Sequence, residues 1–200
     1  MRLPAVLLTV LFALALSSPA HALVLAPATG CPDEQAGTPF APWGDTARYV
    51  RVGDGGFDQG GAGWTLSNAS VVDDNTPWPT LLPDAHRALD IKGSATSPGY
   101  CIATDHPSLR FFARNTGSPL STLVVEAVFT TTLGIKLAVP VGLVLGSGEW
   151  RPSPRVLVVG NLLMLLQPGQ KTRVSFRFTP VGLGARWRID DVFVDPYAKI

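Results

Sequence analysis

Residues able to act as acids, bases or nucleophiles are sparse in this sequence. His86 and His106 each stand alone, without a second histidine or a cysteine at the spacing of zinc ligands. The sequence has no Gly-x-Ser-x-Gly, Gly-x-x-x-x-Gly-Lys or His-Glu-x-x-His motif. Glu126, the one carboxylate in an otherwise apolar run, is either a buried acid of a glycoside-cleaving enzyme or an ion-paired surface residue. The pattern favours a binding or interaction domain that is not an enzyme.

Residues suited to binding are grouped around one tryptophan. Trp78 lies between two prolines, which restrict the backbone, and it follows Asp73, Asp74 and Asn75. An aromatic ring can stack on the face of a sugar while carboxylates and amides bind its hydroxyl groups. We therefore predict a ligand-binding site at these four residues, with Trp150 as a second aromatic candidate. The alternative is that Trp78 packs back on the domain and anchors its loop.

The two cysteines, Cys31 and Cys101, are the only ones in the chain. In an exported protein an even number of cysteines favours a disulfide, which here would close a loop of about 70 residues. In the chain-entropy model such a bridge stabilises the fold by roughly 4 kcal/mol. The alternative is a lipid on Cys31, since residues 28–31, Ala-Thr-Gly-Cys, form a degenerate lipobox.

The start of the chain indicates export. Arg2, an apolar stretch over residues 5–16 and the small-x-small sequence at 20–22 are typical of a secretory signal peptide. We expect residues 1–22 to be cleaved, which leaves about 178 residues secreted or held at the cell surface. That length is enough for one domain with a sizeable core, which we expect to be a monomer.

Charge and hydropathy exclude two kinds of partner. The formal net charge of +1 falls to zero without Arg2, and no basic stripe remains to follow a phosphate backbone. Nucleic acid is therefore excluded as a partner. The most apolar later run, residues 156–166, is interrupted by Gly160 and Asn161, so we expect no transmembrane segment.

The elements that must position these residues are short strands. Residues 23–47 contain four prolines, which favour an irregular arm held to the domain by Phe40 and Trp43. The alternative for these two rings is that they are exposed and stack on a ligand. Residues 48–197 form a single domain with the period-two alternation of half-buried antiparallel strands. We predict an all-β fold, a β-sandwich of jelly-roll type. The expected strands are 48–52, 64–66, 70–72, 88–92, 95–102, 109–114, 123–129, 136–145 as one or two strands around Pro140, 173–179 and 187–194. We expect 123–129 to be covered on both faces and 162–166 to form a helical turn.

The last strand contains a phase slip. Trp187 and Ile189 are in phase with each other, as are Val192 and Val194, but the two pairs are out of phase. A β-bulge at residues 190–191 would let both pairs face the core and would re-aim one of the two aspartates. We therefore predict a bulge at this position.

The two ends of the domain carry a family resemblance. A glycine-rich turn at residues 53–64 contains Gly-Gly-Phe-Asp and ends in Gly-Trp, and residues 187–192 read Trp-Arg-Ile-Asp-Asp-Val. Together they resemble galactose-binding-like jelly rolls, which include many carbohydrate-binding modules. The resemblance covers about twenty residues and implies that the first and last strands lie side by side. The chain also resembles small secreted actinobacterial proteins, through its export signal and its Gly, Pro and Ala bias.

The resemblance also implies a structural calcium ion. In such modules an acidic residue of the turn joins one of the last strand at the ion, which corresponds to Asp58 and Asp190 here. Calcium takes roughly six to eight oxygen ligands, and two carboxylates with carbonyls of a glycine-rich turn can supply them. The alternative is that both aspartates are solvated or paired with arginines.

Two functions of different classes follow from these features. The first is a secreted, non-catalytic module that binds a glycan. The second is a structural or protein-interaction domain of the cell envelope, which would use the same loops without a sugar. A row of exposed aromatic rings would favour the first function, and a flat apolar patch would favour the second.

Overall fold

The computed structural model describes residues 24–31, 35–78, 80, 85–103, 108–158 and 170–195. These residues form eleven β-strands and one 3-10 turn, Ala41–Trp43, with no α-helix among them, which confirms the all-β prediction. No helix in these ranges is long and apolar enough to cross a membrane. The predicted signal peptide and the helical turn at 162–166 lie outside the described residues. The strands are β1 Val50–Arg51, β2 Thr65–Asp73, β3 Arg87–Thr96, β4 Tyr100–Ile102, β5 Ser108–Asn115, β6 Thr122–Thr130, β7 Lys136–Leu145, β8 Arg151–Pro152, β9 Val156–Leu157, β10 Thr172–Val181 and β11 Trp187–Asp195.

The strands form one antiparallel sheet that curls over into two facing layers. The order along the sheet is β7-β6-β10-β3-β11-β5-β8, with β2 on β3, β1 on β11, β4 on β10 and β9 on β5. Strand β3 joins the layers, because residues 89–91 pair with β11 and residues 95–96 pair with β10. The rings of Phe111 on β5 and Phe178 on β10 meet across the core, with centroids 5.1 Å apart. The fold is therefore the β-sandwich that the sequence predicted.

Strand β6 is central, between β7 and β10, yet only one of its faces is fully buried. Leu123, Val125, Ala127 and Phe129 lie in the core, whereas the residues between them are half-buried. The prediction of two covered faces is wrong, because the sandwich has two layers and β6 belongs to one of them.

Glu126 lies on the outer face of β6. Its carboxylate accepts two hydrogen bonds from the guanidinium of Arg177 on β10, at 2.6 and 2.8 Å. These hydrogen bonds lower the pKa of Glu126 below its usual range. The ion-paired interpretation of Glu126 is confirmed, and the residue is not a buried acid.

The bulge predicted in the last strand is confirmed. The pairing of β11 with β5 shifts between Asp190 and Phe193, and Asp191 has a φ of 49°. The four apolar residues around the bulge are all fully buried in one core: Trp187, Ile189, Val192 and Val194. Strand β1 pairs with the end of β11, so the first and last strands lie side by side, as the resemblance implied.

Other irregularities correct the predicted strand boundaries. The predicted strands 64–66 and 70–72 merge into the single strand β2, which begins one residue later, at Thr65. Its register shifts at Asn68, which has a φ of 48°. The predicted strand 95–102 is interrupted at residues 97–99, between β3 and β4. In β7 the register against β6 shifts beside Pro140 and leaves Val141 without a partner on β6. Proline has no N–H for the ladder, which suits it to this position.

The N-terminal arm is tied to the sandwich at several points. Cys31 and Cys101 form a disulfide with Cα atoms 5.9 Å apart, which confirms the predicted pairing and excludes the lipobox interpretation. Further along, Gly37 pairs with Tyr49 in an isolated antiparallel bridge. The arm therefore follows the surface of the domain.

A second, smaller core lies under this arm, on the outer face of the layer that contains β5. Phe40 of the arm is fully buried there, with ring centroids 5.3 Å from Phe112 of β5 and 5.7 Å from Phe193 of β11. The anchoring role predicted for Phe40 is confirmed. This second core supports the candidate site.

Candidate ligand-binding site

Three tryptophans line one cleft above the second core. Trp43 comes from the arm, Trp78 from the loop after β2, and Trp150 from the loop before β8. The cleft has a volume of about 400 Å³. Its other lining residues are Glu149, Arg151 and Pro152. Residues far apart in the sequence thus form one concave aromatic surface.

Phe112 of β5 fixes two of these rings. Its centroid lies 5.2 Å from that of Trp43 and 5.7 Å from that of Trp78, and the two tryptophans pack edge to face at 4.9 Å. Aromatic contacts of this kind contribute about 0.5–1.5 kcal/mol each beyond the buried area. Because Phe112 is held in the sheet, the rings are positioned before any ligand arrives.

A short turn holds Trp78 in place. The hydroxyl of Thr76 donates to the carbonyl of Trp78 at 2.9 Å and accepts the N–H of Trp78 at 3.2 Å. The side chain of Trp78 is half-buried. It therefore anchors its loop, as the alternative prediction stated, and it also lines the cleft, while its predicted role in ligand binding remains untested.

Trp150 forms the most buried wall, with 8% of its surface exposed. The guanidinium of Arg114 lies 5.4 Å from its ring centroid, within range of a cation–π contact. The indole Nε1–H is buried and has no acceptor among the residues that the structure describes. Most buried donors in proteins have a hydrogen-bond acceptor, so the indole N–H of Trp150 is an exception.

The polar residues predicted beside Trp78 are not among those lining the cleft. Asp73 has 94% of its side chain exposed, 3.8 Å from Arg87. Asp74 is largely buried between Arg114 and Arg188, at 2.6 and 2.7 Å. The third predicted residue, Asn75, has its amide 3.1 Å from the ring of His86. Their predicted roles in ligand binding remain untested.

Glu149 and Arg151 supply the charge at the cleft instead. Their side chains form an exposed ion pair at 3.0 Å on either side of Trp150. Neither residue was among the predicted site residues, and stacking on a ligand was only the alternative role for Trp43. The only local signal was their position next to Trp150, because the cleft exists only after three distant segments have folded together.

A charged network centred on the buried carboxylate of Asp45 lies beside the second core. Asp45 contacts Arg110 and Arg155, each at 2.5 Å, and accepts a hydrogen bond from Tyr49 at 2.7 Å. Burial disfavours ionisation, but the hydrogen bonds from Arg155, Tyr49 and Arg110 hold the pKa of Asp45 well below its usual range. Burial and the hydrogen bond to Asp45 raise the pKa of Tyr49 to about 12. The Arg110 guanidinium also lies 4.4 Å from the ring centroid of Phe40, so the network fixes the arm.

Asp58 and Asp190 lie at the glycine turn and the β11 bulge, but their contacts do not fit a calcium ion. Asp58 is 3.3 Å from the guanidinium of Arg51 and accepts a backbone N–H at 2.7 Å. Both oxygens of Asp190 accept backbone N–H groups. Calcium needs roughly six to eight available oxygen ligands. Within the described ranges no three His, Cys, Asp or Glu side chains are grouped to hold a metal ion. Calcium binding stays an untested prediction.

Comparisons by sequence find no relative. No protein family matches the chain, and no curated protein matches it.

Comparisons by structure find proteins with a similar fold. The CBM22-1–CBM22-2 tandem domain of Xyn10C from Paenibacillus barcinonensis is similar over 88% of this chain and 48% of its own, with 10% identity and a TM-score of 0.50. The CBM22-1 xylan-binding domain of the same protein matches 72% of this chain and 93% of its own, with 10% identity and a TM-score of 0.49. The enzymatically active domain of tailspike protein 4 from bacteriophage CBA120 matches 72% of this chain, with 17% identity and a TM-score of 0.49.

The matched region is a fraction of two of these proteins. It spans 48% of the tandem domain and 21% of the tailspike chain. At these identities the likeness concerns the fold alone. The chain shares the β-sandwich fold of the Xyn10C tandem domain.

Proposed function

We propose that this protein is a secreted, non-catalytic module that binds a glycan in the cleft of Trp43, Trp78 and Trp150. The observation that carries this proposal is the convergence of three tryptophans, from three separate segments, on one cleft of about 400 Å³. Sugar rings present apolar C–H faces that stack on indole rings. A cleft of this size suits a ligand of a few sugar units.

The polar groups at the cleft suit hydroxyl groups. Glu149 and Arg151 are both exposed and offer hydrogen-bond acceptors and donors beside the aromatic wall. Their charges cancel, so the cleft has no net charge with which to select an anionic ligand. We therefore infer that the ligand is a neutral glycan.

Fold and covalent structure support an exported binding module. The fold is shared with the CBM22 tandem domain, although fold alone does not set function. The Cys31–Cys101 disulfide is compatible with an oxidising, extracellular location. The sequence pattern of residues 1–22 supports secretion.

The test is a glycan array followed by titration calorimetry on the best ligand. Trp78→Ala should weaken binding at least about tenfold, which corresponds to about 1.4 kcal/mol. Leu183→Ala is the control, because Leu183 is 97% exposed in the turn between β10 and β11 and outside the cleft lining. Binding that survives in Trp78→Ala would contradict the assignment of the site. If the folded protein bound no glycan on the array, the proposed glycan-binding function would be contradicted.

One observation favours the cell-envelope interaction domain as a second function. Leu120, Leu145 and Leu183 have exposed fractions of 92%, 80% and 97%. Exposed apolar side chains are used for protein contacts when they form a contiguous patch. We infer that this function applies if the protein binds no glycan on the array. The test is a pull-down with envelope proteins that compares the wild type with Leu145→Asp and Leu183→Asp.

A further inference from the structure

Arg51 lies where the first strand, the glycine turn and the last strand meet. It is the partner of Phe193 in the pairing of β1 with β11, beside the bulge. Its Nη2 is 3.3 Å from Oδ2 of Asp58 on the turn, and its Nη1 is 3.6 Å from Oδ1 of Asp191 in the bulge. One guanidinium therefore joins the first strand and the glycine turn that follows it to the last strand, which is distant in the sequence.

The other carboxylate oxygens here also have donors. Oδ1 of Asp58 accepts the N–H of Ala85 at 2.7 Å, and Oδ2 of Asp191 accepts the hydroxyl of Thr80. Both oxygens of Asp190 accept backbone N–H groups, as described above. Each oxygen of the three aspartates thus contacts a protein donor. A metal ion would have to displace these donors and approach a resident positive charge.

Gly56 of the turn makes room for this arrangement. A Cβ at residue 56 would overlap Nη1 of Arg51 and lie 3.3 Å from Oδ1 of Asp191. The φ of Gly56 is not positive, so the backbone conformation does not require glycine at this position. The glycine is therefore explained by the guanidinium that occupies the space.

We propose that the guanidinium of Arg51 is the structural cation of this β-sandwich, holding the glycine turn to the last strand in place of calcium. An arginine supplies a fixed positive charge and several N–H donors, which match the oxygens of two carboxylates. The stability of the fold is then independent of calcium concentration. This differs from what the resemblance to calcium-containing modules implies.

The first test compares the thermal unfolding of the wild-type protein in 5 mM calcium chloride and in EDTA. This calcium concentration is on the order of saturation for extracellular calcium sites. The two Tm values should agree within about 1 °C, since a ligand that binds the native state raises Tm. A Tm that rises with calcium and returns to the EDTA value on chelation would overturn the proposal. This experiment needs no variant, so it tests the proposal even if the Arg51 variants do not fold.

The second test removes the guanidinium of Arg51. Arg51→Met keeps the aliphatic stem and should lower Tm by about 2–4 °C, while Arg51→Lys should give an intermediate value. Arg87→Met is the matched control, because Arg87 pairs only loosely with the exposed Asp73 and its loss should change Tm by less than about 1 °C. Equal Tm values for Arg51→Met and wild type would refute the role of Arg51.

A double-mutant cycle tests the coupling of Arg51 to Gly56. Gly56→Ala in the wild type must displace the guanidinium, whereas in Arg51→Met the space is already vacated. The Tm loss caused by Gly56→Ala should therefore shrink by about half or more in the Arg51→Met background. Additive losses would show that Gly56 is glycine for another reason and would count against the proposal.

Discussion

At the scale of single residues, Asp45 is the carboxylate on which the second core depends. Asp45→Asn leaves Arg110 buried without its counter-charge, and we expect a loss of about 3–5 kcal/mol in the free energy of unfolding. Urea titration at pH 7 measures this loss. Asp73→Asn is the control, because an exposed pair at 3.8 Å contributes little. Equal losses in the two variants would contradict the role of Asp45.

The same residue predicts a pH dependence. The pKa of Asp45 is lower in the folded than in the unfolded state. Its ionised form therefore stabilises the fold above about pH 4, near the pKa of an unfolded aspartate. This stabilisation is lost as the pH falls towards the pKa of the folded state. The stability difference between wild type and Asp45→Asn should therefore decrease from pH 5 to pH 2. A constant difference over that range, measured by urea titration at each pH, would exclude Asp45 as the source.

Gly55 gives a second prediction at this scale. A Cβ at Gly55 would lie 2.8 Å from the backbone oxygens of Val52 and Val192. Both oxygens already accept backbone hydrogen bonds, from the N–H groups of Gly55 and Val52 respectively, and would have to move. Gly55→Ala should destabilise the protein by about 1–3 kcal/mol. At Gly37 an added Cβ meets nothing within 4 Å, so Gly37→Ala should be neutral or slightly stabilising in the same chemical denaturation assay. If Gly55→Ala left the free energy of unfolding unchanged, the turn would be able to move away from β11.

Residue types alone located part of the candidate site. Trp78 and Trp150 could be selected because a tryptophan between prolines, or one beside charged residues, is visible in the sequence. Trp43 was assigned to anchoring the arm, and its contact with Trp78 depends on Phe112, which belongs to a third segment. Contacts among three segments leave no local pattern, so the assembled cleft could not be predicted.

At the scale of elements, the bulge of β11 sets which side chains enter which core. Deletion of Asp191 would shift the residues after it by one and exchange the environments of Val192 and Phe193. We expect the deletion variant to lose the near-ultraviolet circular dichroism of a packed core. Asp191→Gly keeps the residue count and tolerates the φ of 49°, so it should fold. A folded deletion variant would show that the register can slip without penalty.

The bulges also show what the sequence can and cannot reveal about strands. The bulge in β11 was predictable because apolar residues on both sides reveal the change of phase. The bulge at Asn68 was not, because β2 is mostly half-buried or exposed and its alternation is too weak to show a shift. The interruption was therefore interpreted as a gap between two strands.

At the scale of the whole molecule, the disulfide and the arm make separable contributions. Replacement of Cys31 and Cys101 by serine should lower the free energy of unfolding by roughly 4 kcal/mol, as expected for a 70-residue loop. Glycan affinity should change less than about twofold, because Trp43 is held by Phe40 and the second core and not by the disulfide. Urea titration and calorimetry on the same variant compare the two effects. A large loss of affinity in the folded variant would show that the bridge positions Trp43.

The bulge beside Pro140 has a consequence beyond the single chain. Among the strands that the structure describes, β7 ends the sheet, and it is rich in apolar side chains, including the exposed Leu143 and Leu145. An uninterrupted apolar edge of this length is a template on which a second chain can add as a further strand and begin an aggregate. An incoming strand would meet a missing N–H at Pro140 and a kink at Val141, so its hydrogen-bond ladder would be broken near the middle. The irregularity in β7 would thus hinder edge-to-edge polymerisation along this strand.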